Sequence, residues 1–298
     1  MGVLPQIADL SQCLFCGIAL DDENRTREDV FPKWLQREHG LADQELVLLN
    51  GTAITYGQLL VPACQDCNNV HASQLEKRIR EDRASHQDMY IWLLKLQLGT
   101  MHWETSKPMS RDMRTEKSRL PILPSDAFDI GFLHALFDVL KRPDPQFVPN
   151  PLGSVLCFPT EQEEFFYADK LYRHPLADQD ADNYSASCIV IHKRCWIALF
   201  DDAGQIRNAA VDIDAMTCQV EQGKDPVLFF PELMWLRACM DWTPNTLVIG
   251  GDDGPVEGVM FLPTMGRPRE FERRAEDLRL FYEACGIASS SSCPDEFR

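Results

Sequence analysis

The sequence predicts an α+β protein, built from a small cysteine-stapled module at the N-terminus, helices after it, and a mixed α/β C-terminal domain. Three observations lead to this prediction. Two Cys-x-x-Cys pairs, Cys13/Cys16 and Cys64/Cys67, frame the first quarter of the chain. Apolar residues recur at helical spacing beyond the second pair, and short β-rich runs separated by acidic turns follow residue 151.

Helices are predicted directly after the second cysteine pair. Residues 68–104 contain no proline and a single glycine, and their apolar residues recur at helical spacing, which predicts one long helix or two in series. Residues 107–124 are polar with prolines near both ends and are interpreted as a linker. Residues 126–141 form a further helix candidate, with Ser125 or Asp126 available as its N-cap.

Strands dominate the prediction for the C-terminal part, which begins after four prolines between residues 143 and 151. The predicted strands cover 155–158, 165–167, 186–192, 196–200 and 256–262, and the predicted helices cover about 231–240 and 268–285. Four regions result: the cysteine-stapled module with its long helix (1–106), a linker and helix (107–150), an acidic mixed α+β domain (151–288) and a disordered tail (289–298).

The composition is that of a soluble globular protein. The chain has 298 residues, of which 45% are hydrophobic and 25% are charged. It contains no run of about 18 apolar residues, and residues 1–6 lack the basic start of a signal peptide, so we expect a cytoplasmic protein without membrane contact. In a reducing cytoplasm the eleven cysteines do not predict a disulfide framework.

The net charge of −17 is unevenly distributed. Residues 121–298 carry 29 Asp and Glu against 15 Lys and Arg, whereas residues 74–119 carry 10 Lys and Arg against 7 acidic residues. This argues against a protein whose whole surface binds nucleic acid, because phosphate contact depends on Lys and Arg. Four basic residues on consecutive turns form either a phosphate-binding stripe or an ordinary solvated helix face: Lys77, Arg78, Arg80 and Arg83.

The two cysteine pairs predict a structural zinc site. Two intervening residues are the spacing at which a tight turn, or a turn that runs into a helix, directs both thiolates at one tetrahedral ion. Two such pairs supply four sulfur ligands, which completes the coordination shell of zinc. We therefore expect Cys13, Cys16, Cys64 and Cys67 to bind one zinc ion.

Three segments carry these cysteines and the residues between them: Cys13-Leu14-Phe15-Cys16-Gly17, Glu28-Asp29-Val30-Phe31-Pro32 and Cys64-Gln65-Asp66-Cys67-Asn68-Asn69. Together they resemble the zinc-containing branch of the HNH endonucleases, in the ββα-metal superfamily. The resemblance covers about residues 10–80. It implies a zinc ion that clamps a β-hairpin against a helix, an acidic metal ligand followed by a catalytic histidine on the hairpin, and an asparagine that opens the helix.

The resemblance also implies a catalytic site. Glu28 matches the acidic ligand and Asn68 the helix-opening ligand of one divalent ion, Mg²⁺ or Mn²⁺. Asp29 stands where the family has its general-base histidine. A carboxylate, with a reference pKa of about 3.9, is a weaker base at pH 7 than an imidazole. Because general-base catalysis contributes about 10²- to 10⁴-fold, we expect slow turnover with metal binding intact.

His71 is the candidate for a substitute base or an additional metal ligand, since an α-helix would place it near Asn68. The alternative is a solvent-facing histidine on a helix. Alternatives also exist for the other site residues. Glu28 and Asp29 could form a solvated acidic turn, and Asn68 could be a helix N-cap.

Two functions follow from these observations. The first is a metal-dependent endonuclease that hydrolyses phosphodiester bonds in DNA, with an acidic C-terminal domain that binds a protein partner or mediates self-association. The resemblance implies a setting in phages, restriction or anti-phage defence. The second is a catalytically degenerate HNH-like zinc module that acts as a binding or scaffolding protein, because the histidine is missing.

Overall fold

The chain forms two compact units in the computed structural model, Met1–Phe147 with Leu247–Met260 and Val148–Thr246 with Phe261–Arg298. Helices and sheets both contribute, which confirms the predicted α+β class. The structure describes residues 10–48, 51–106, 130–142, 145–173, 183–238, 245–249 and 258–262. Across these ranges, no helix combines the length and apolar character needed to cross a membrane.

An antiparallel hairpin organises the first unit. Strand β1 (Arg25–Asp29) pairs with strand β4 (Leu60–Cys64) along its full length. Between them lie helix α1 (Lys33–Glu38) and a second hairpin of β2 (Glu45–Val47) and β3 (Ala53–Thr55). The long pairing between β1 and β4 therefore brings the second cysteine pair beside the start of the segment that carries the predicted catalytic residues.

Helices follow β4 in series. A π-helical turn (Asp66–Ala72) continues into α2 (Ser73–Arg80), and α3 covers His86–Ser106. The break before α3 is encoded by a reciprocal cap: the Ser85 backbone N–H donates to the Asp88 carboxylate at 2.9 Å, and the Asp88 N–H donates to Ser85 Oγ at 3.0 Å. Of the two predicted alternatives, helices in series are found.

Helix α3 is the core helix of the first unit. All residues from 89 to 98 are buried, and a helix buried around its full circumference is typical of a core position. Gly99 allows α3 to lie close to the end of β1, because a Cβ at this position would lie 2.5 Å from Val30 Cγ2. The Trp34 ring of α1 stacks on the Trp92 ring of α3, with centroids 6.2 Å apart.

Helix α4 (Ile130–Val139) also belongs to the first unit. Phe137 packs on Phe15 with ring centroids 5.1 Å apart. Gly17 has a φ of +71°, and a Cβ there would overlap the His134 ring, so only glycine allows this approach. These contacts explain why α4 groups with the N-terminal module, whereas the sequence analysis assigns it to a separate linker region. The predicted linker 107–124 lies outside the described residues.

A three-stranded sheet has the order β10 (Asn245–Ile249), β11 (Gly258–Leu262) and β5 (Gln146–Val148). Strand β11 overlaps the predicted strand at 256–262, whereas β5 and β10 are not predicted from the sequence. The predicted helix at 268–285 and the predicted tail at 289–298 lie outside the described residues.

The second unit contains an antiparallel sheet in the order β6-β9-β8-β7. Its strands are β6 (Ser154–Pro159), β7 (Phe166–Arg173), β8 (Asn183–Ile191) and β9 (Arg194–Leu199). All four overlap predicted strands.

Two helices accompany this sheet. Helix α5 (Ile213–Glu221) begins at the Asp212 cap, whose carboxylate accepts from the Ala215 N–H at 3.0 Å. Helix α6 (Phe229–Ala238) overlaps the predicted helix at 231–240 and packs on the sheet, where the Phe158 and Phe229 rings lie 5.0 Å apart.

Candidate metal centre

The four predicted zinc ligands lie together in the structure. Their sulfur atoms are all within 4.8 Å of one another, so they can hold one metal ion. Cys16 Sγ and Cys64 Sγ are 3.7 Å apart. A tetrahedral zinc with Zn–S bonds of about 2.3 Å requires sulfurs about 3.8 Å apart, so the cluster fits zinc without rearrangement of this pair.

Local backbone structure directs each pair at the centre. The first pair sits on a tight turn, in which the Cys13 N–H donates to the Ile18 carbonyl at 2.8 Å and the Gly17 N–H donates to the Cys13 carbonyl at 2.9 Å. The second pair joins two elements, since Cys64 ends β4 and Cys67 lies in the π-helical turn. A bound ion would therefore connect the first turn, the hairpin and the helix.

The four thiols strongly shift one another's pKa values. Hydrogen bonds from neighbouring thiols raise the pKa of Cys13 and Cys67, whereas a hydrogen bond with Cys13 lowers the pKa of Cys16 and brings that of Cys64 to about 6. Four sulfurs this close cannot all carry negative charge without a cation. A cation that binds all four sulfurs would favour their thiolate forms, so metal binding would release protons.

Glu28, the predicted acidic metal ligand, is buried and paired with a lysine. Its side chain lies beneath α3, where Glu28 Oε1 is 2.5 Å from Lys95 Nζ and only 8% of the side chain is exposed. The same ammonium lies 2.6 Å from Glu76 Oε1 and donates to the Asp29 backbone carbonyl at 3.3 Å. A lysine ammonium has three N–H donors, and here three acceptors from β1 and α2 use them. We call Glu28, Lys95 and Glu76 the lysine cluster.

The lysine cluster contains two carboxylates and one ammonium. Burial raises the pKa of Glu28, and Glu76 raises it further, although Lys95 opposes both effects. Burial lowers the pKa of Lys95, but the attraction of Glu76 and Glu28 outweighs burial and raises it above the usual range. Lys95 therefore stays charged in the core, where its ammonium is paired with the carboxylates of Glu28 and Glu76.

Asp29 and Asn68 are engaged in other ways. Successive strand residues point to opposite faces, so Asp29 leaves β1 on the face opposite to Glu28, and its carboxylate is 3.7 Å from Lys33 Nζ. Asn68 Nδ2 donates to Thr26 Oγ1 at 3.0 Å and to the Arg27 carbonyl at 3.1 Å. Asn68 thus fastens the π-helical turn to β1, and it lies inside that turn rather than at its N-cap.

His71 contacts α4. It forms a hydrogen bond with the Leu140 backbone carbonyl, and its pKa is lowered by burial and by the nearby Lys141 ammonium. The prediction that His71 lies near Asn68 assumes an α-helix. The turn is π-helical, with i to i+5 bonding, so residues three apart are farther from a common face. The structure places His71 at the joint between the π-helical turn and α4.

The basic residues of α2 and of the turn after it are largely paired with acidic residues. Arg78 Nη2 is 2.6 Å from Asp88 Oδ1 and Arg80 Nε is 3.3 Å from Glu38 Oε1. Arg83 pairs with Glu81. Three of the four basic side chains therefore already have carboxylate partners.

Lys95, Glu76 and Lys141 are not among the predicted site residues. A signal for Lys95 exists, since it is the only charged residue in the apolar run 89–98, and a lone lysine on a core helix requires a buried partner. Lys141 carries no comparable signal, because its partner Cys16 is distant in sequence.

A comparison of the chain with protein-family models, with curated proteins and with solved structures finds no match.

Proposed function

We propose that the N-terminal module is an HNH-like fold stapled by structural zinc, which has lost nuclease chemistry and serves as a binding or scaffolding element. The observation that carries this proposal is the 2.5 Å contact between Glu28 and the buried Lys95 ammonium. The carboxylate that would bind a catalytic cation is already neutralised by a cation of the protein itself.

The zinc part of the proposal rests on the four-sulfur cluster. Cys13, Cys16, Cys64 and Cys67 would hold the ion, which would supply a cross-link and no open coordination position. Zinc then stabilises the fold by joining the first turn to β4 and the π-helical turn. It takes no part in a reaction.

Two independent features support the proposed loss of nuclease chemistry. A divalent ion at Glu28 would have to displace a paired lysine from a site that excludes water, and an unpaired buried charge is costly. The general-base position holds Asp29, which lacks the imidazole that would contribute about 10²- to 10⁴-fold. Either feature alone would reduce turnover.

A protein partner is better supported than DNA. Three of the four basic side chains that could contact phosphate pair with acidic residues: Arg78 with Asp88, Arg80 with Glu38 and Arg83 with Glu81. Residues 121–298 carry 29 acidic against 15 basic residues, which repels a duplex and attracts a basic protein surface or a basic region of a second copy.

A DNA endonuclease that uses Mg²⁺ or Mn²⁺ is the second candidate, and one observation favours it. The β1/β4 hairpin, the four-cysteine cluster and the helical turn that carries Asn68 have the order and contacts expected of a ββα-metal module. In this alternative, Asn68 and Asp29 would have to hold the ion without Glu28.

Plasmid nicking with Mg²⁺ or Mn²⁺, compared with EDTA, separates the two candidates. We expect about one zinc per chain and no metal-dependent nicking by the native protein. The matched variant is Asn68→Ala, which leaves the cysteines and the lysine cluster unchanged. Mg²⁺-dependent nicking by the native protein that is absent in a folded Asn68→Ala variant would overturn the scaffold proposal and support the endonuclease.

A further inference from the structure

The residue that follows α4 by two positions reaches the metal centre. The Lys141 ammonium forms a hydrogen bond with the Cys16 sulfur, and Lys141 Nζ also lies 3.1 Å from Asp138 Oδ1. Asp138 is one turn earlier on α4, so it fixes the direction of the lysine side chain. The ammonium is thus held between a carboxylate and the sulfur of a candidate ligand.

Three further contacts hold α4 in this position. Phe137 packs on Phe15, between the first two cysteines, with ring centroids 5.1 Å apart. His134 lies against Gly17, the residue after Cys16. The backbone of Leu140 accepts a hydrogen bond from His71. Helix α4 and the residue after it therefore contact residues beside both cysteine pairs. These contacts fix the position of Lys141.

The negative charge of a four-thiolate zinc centre explains how the Lys141 ammonium would stabilise it. A zinc ion with four thiolate ligands carries two net negative charges, and partners that donate hydrogen bonds to the ligands offset such charge. Three of the four cysteines are buried and Cys16 is only half-buried. Cys16 is therefore the ligand most accessible to water, and it is the one that the ammonium covers.

We propose that Lys141 is a positioning residue of the zinc centre, whose ammonium holds Cys16 in its ligating position and thereby couples the docking of α4 to zinc occupancy. The inference rests on the structural zinc proposed above. It assigns a role to a region far outside the segment that resembles HNH endonucleases, since Lys141 lies about 60 residues beyond it.

Zinc affinity, measured by competition with a chromophoric chelator, tests this role. Outer hydrogen-bond partners of metal ligands typically contribute about 10- to 100-fold to affinity, so we expect Lys141→Met to weaken zinc binding by about that factor. Lys141→Arg keeps the positive charge and should restore most of the affinity. Lys77→Met is the matched control, because it removes one positive charge from an exposed residue of α2 and should leave affinity unchanged.

Two outcomes overturn the inference. If Lys141→Met holds zinc as tightly as the native chain, the ammonium has no positioning role. If Phe137→Ala weakens zinc binding as much as Lys141→Met and Lys141→Arg rescues nothing, the effect belongs to apolar docking of α4 alone. A native chain without zinc would overturn the zinc proposal and this inference together, so the two failures are distinguishable.

Discussion

The two units bury charge in opposite ways. The first unit buries one cation between two carboxylates, since Lys95 lies between Glu28 and Glu76. The second unit buries two adjacent carboxylates, Asp201 and Asp202, at the turn after β9. Asp201 pairs with Arg237 of α6 at 3.0 Å, whereas Asp202 relies mainly on neutral donors.

Asp202 satisfies its charge with local backbone groups. Its carboxylate accepts from the N–H groups of Ser154 at 2.7 Å, Gly204 at 3.1 Å and Ile206 at 2.9 Å, and from the Ser154 hydroxyl. These donors belong to β6 and to one turn. A carboxylate that accepts several N–H hydrogen bonds stabilises a turn. Unlike Glu28, Asp202 does not stand at a predicted metal-ligand position.

The comparison shows that buried ion pairs have different roles in the two units. In the second unit the charges organise a turn and tie it to α6. In the first unit the cation connects β1, α2 and α3 through a carboxylate that stands at a predicted catalytic position. The same kind of buried charge thus ties a turn to a helix in one unit and, in the first, pairs a predicted metal ligand with a lysine.

Loss of the lysine should give the largest effect. Lys95→Met keeps the length of the side chain but leaves Glu28 and Glu76 buried without a cation. Removing one partner of a buried pair costs about 3–5 kcal/mol, so we expect the free energy of unfolding of the first unit to fall by that amount. Urea denaturation measures this change. A loss below about 1 kcal/mol would show that the carboxylates are solvated or protonated instead.

Asp202→Ala should be next in size. It leaves three backbone N–H groups and the Ser154 hydroxyl without their acceptor, and an unsatisfied buried donor costs about 1–3 kcal/mol. Because the turn can partly relax, we expect a loss of about 3 kcal/mol in the second unit. Asp202→Asn, which retains one acceptor oxygen, is the matched variant and should lose less. Equal losses would contradict the role given to the backbone donors.

The raised pKa of Asp201 predicts that the stability of the second unit depends on pH. Burial raises its pKa from 3.8 to about 6, and Arg237 opposes the effect only in part. The folded state therefore binds this proton more tightly than the unfolded state, so the contribution is complete below pH 3.8 and is lost as the pH rises through about 6. The shift corresponds to about 2–3 kcal/mol.

This pH dependence is measured as unfolding free energy between about pH 4 and pH 7, in the native chain and in Asp201→Asn. The variant should lack the fall in stability that Asp201 causes over this range. Parallel curves for the two proteins would rule out the raised pKa of Asp201 as the source.

The smallest effect is expected at an exposed pair. Arg80 and Glu38 lie 3.3 Å apart, with 59% and 40% of their side chains exposed. Exposed ion pairs contribute about 0–1 kcal/mol, so Arg80→Met should change the stability by less than about 1 kcal/mol. Urea denaturation with the Lys95→Met variant in parallel provides the contrast. A loss as large as that of Lys95→Met would remove the distinction between buried and exposed charge.

Features set by local sequence could be predicted. The Cys-x-x-Cys spacing is a local property, and it places all four sulfurs together once β1 and β4 pair. The four strands of the second unit follow from their apolar runs and from the turns between them. The helical spacing of 68–104 leaves one helix or two open, and the capping box of Ser85 and Asp88 decides for two.

Features set by long-range packing could not be predicted. The contact of Lys141 with Cys16 joins positions 125 residues apart, and no local pattern encodes it. The π-helical turn at 66–72 changes the direction of His71, although its sequence is compatible with an α-helix. Strand alternation explains why Glu28 is buried and Asp29 is not, but the direction of β1 becomes known only when α3 packs on it.

Gly99 determines how the lysine cluster is assembled. Lys95 and Gly99 are four residues apart and so lie on one face of α3, while Glu28 and Val30 are two residues apart in an extended segment. The absent side chain at position 99 lets the Val30 methyl groups contact the helix backbone. Any side chain there would push α3 outward and stretch the bond between the ammonium and Glu28. Gly99 thus sets the distance between α3 and the strand, and this distance determines whether Glu28 contacts Lys95 or water.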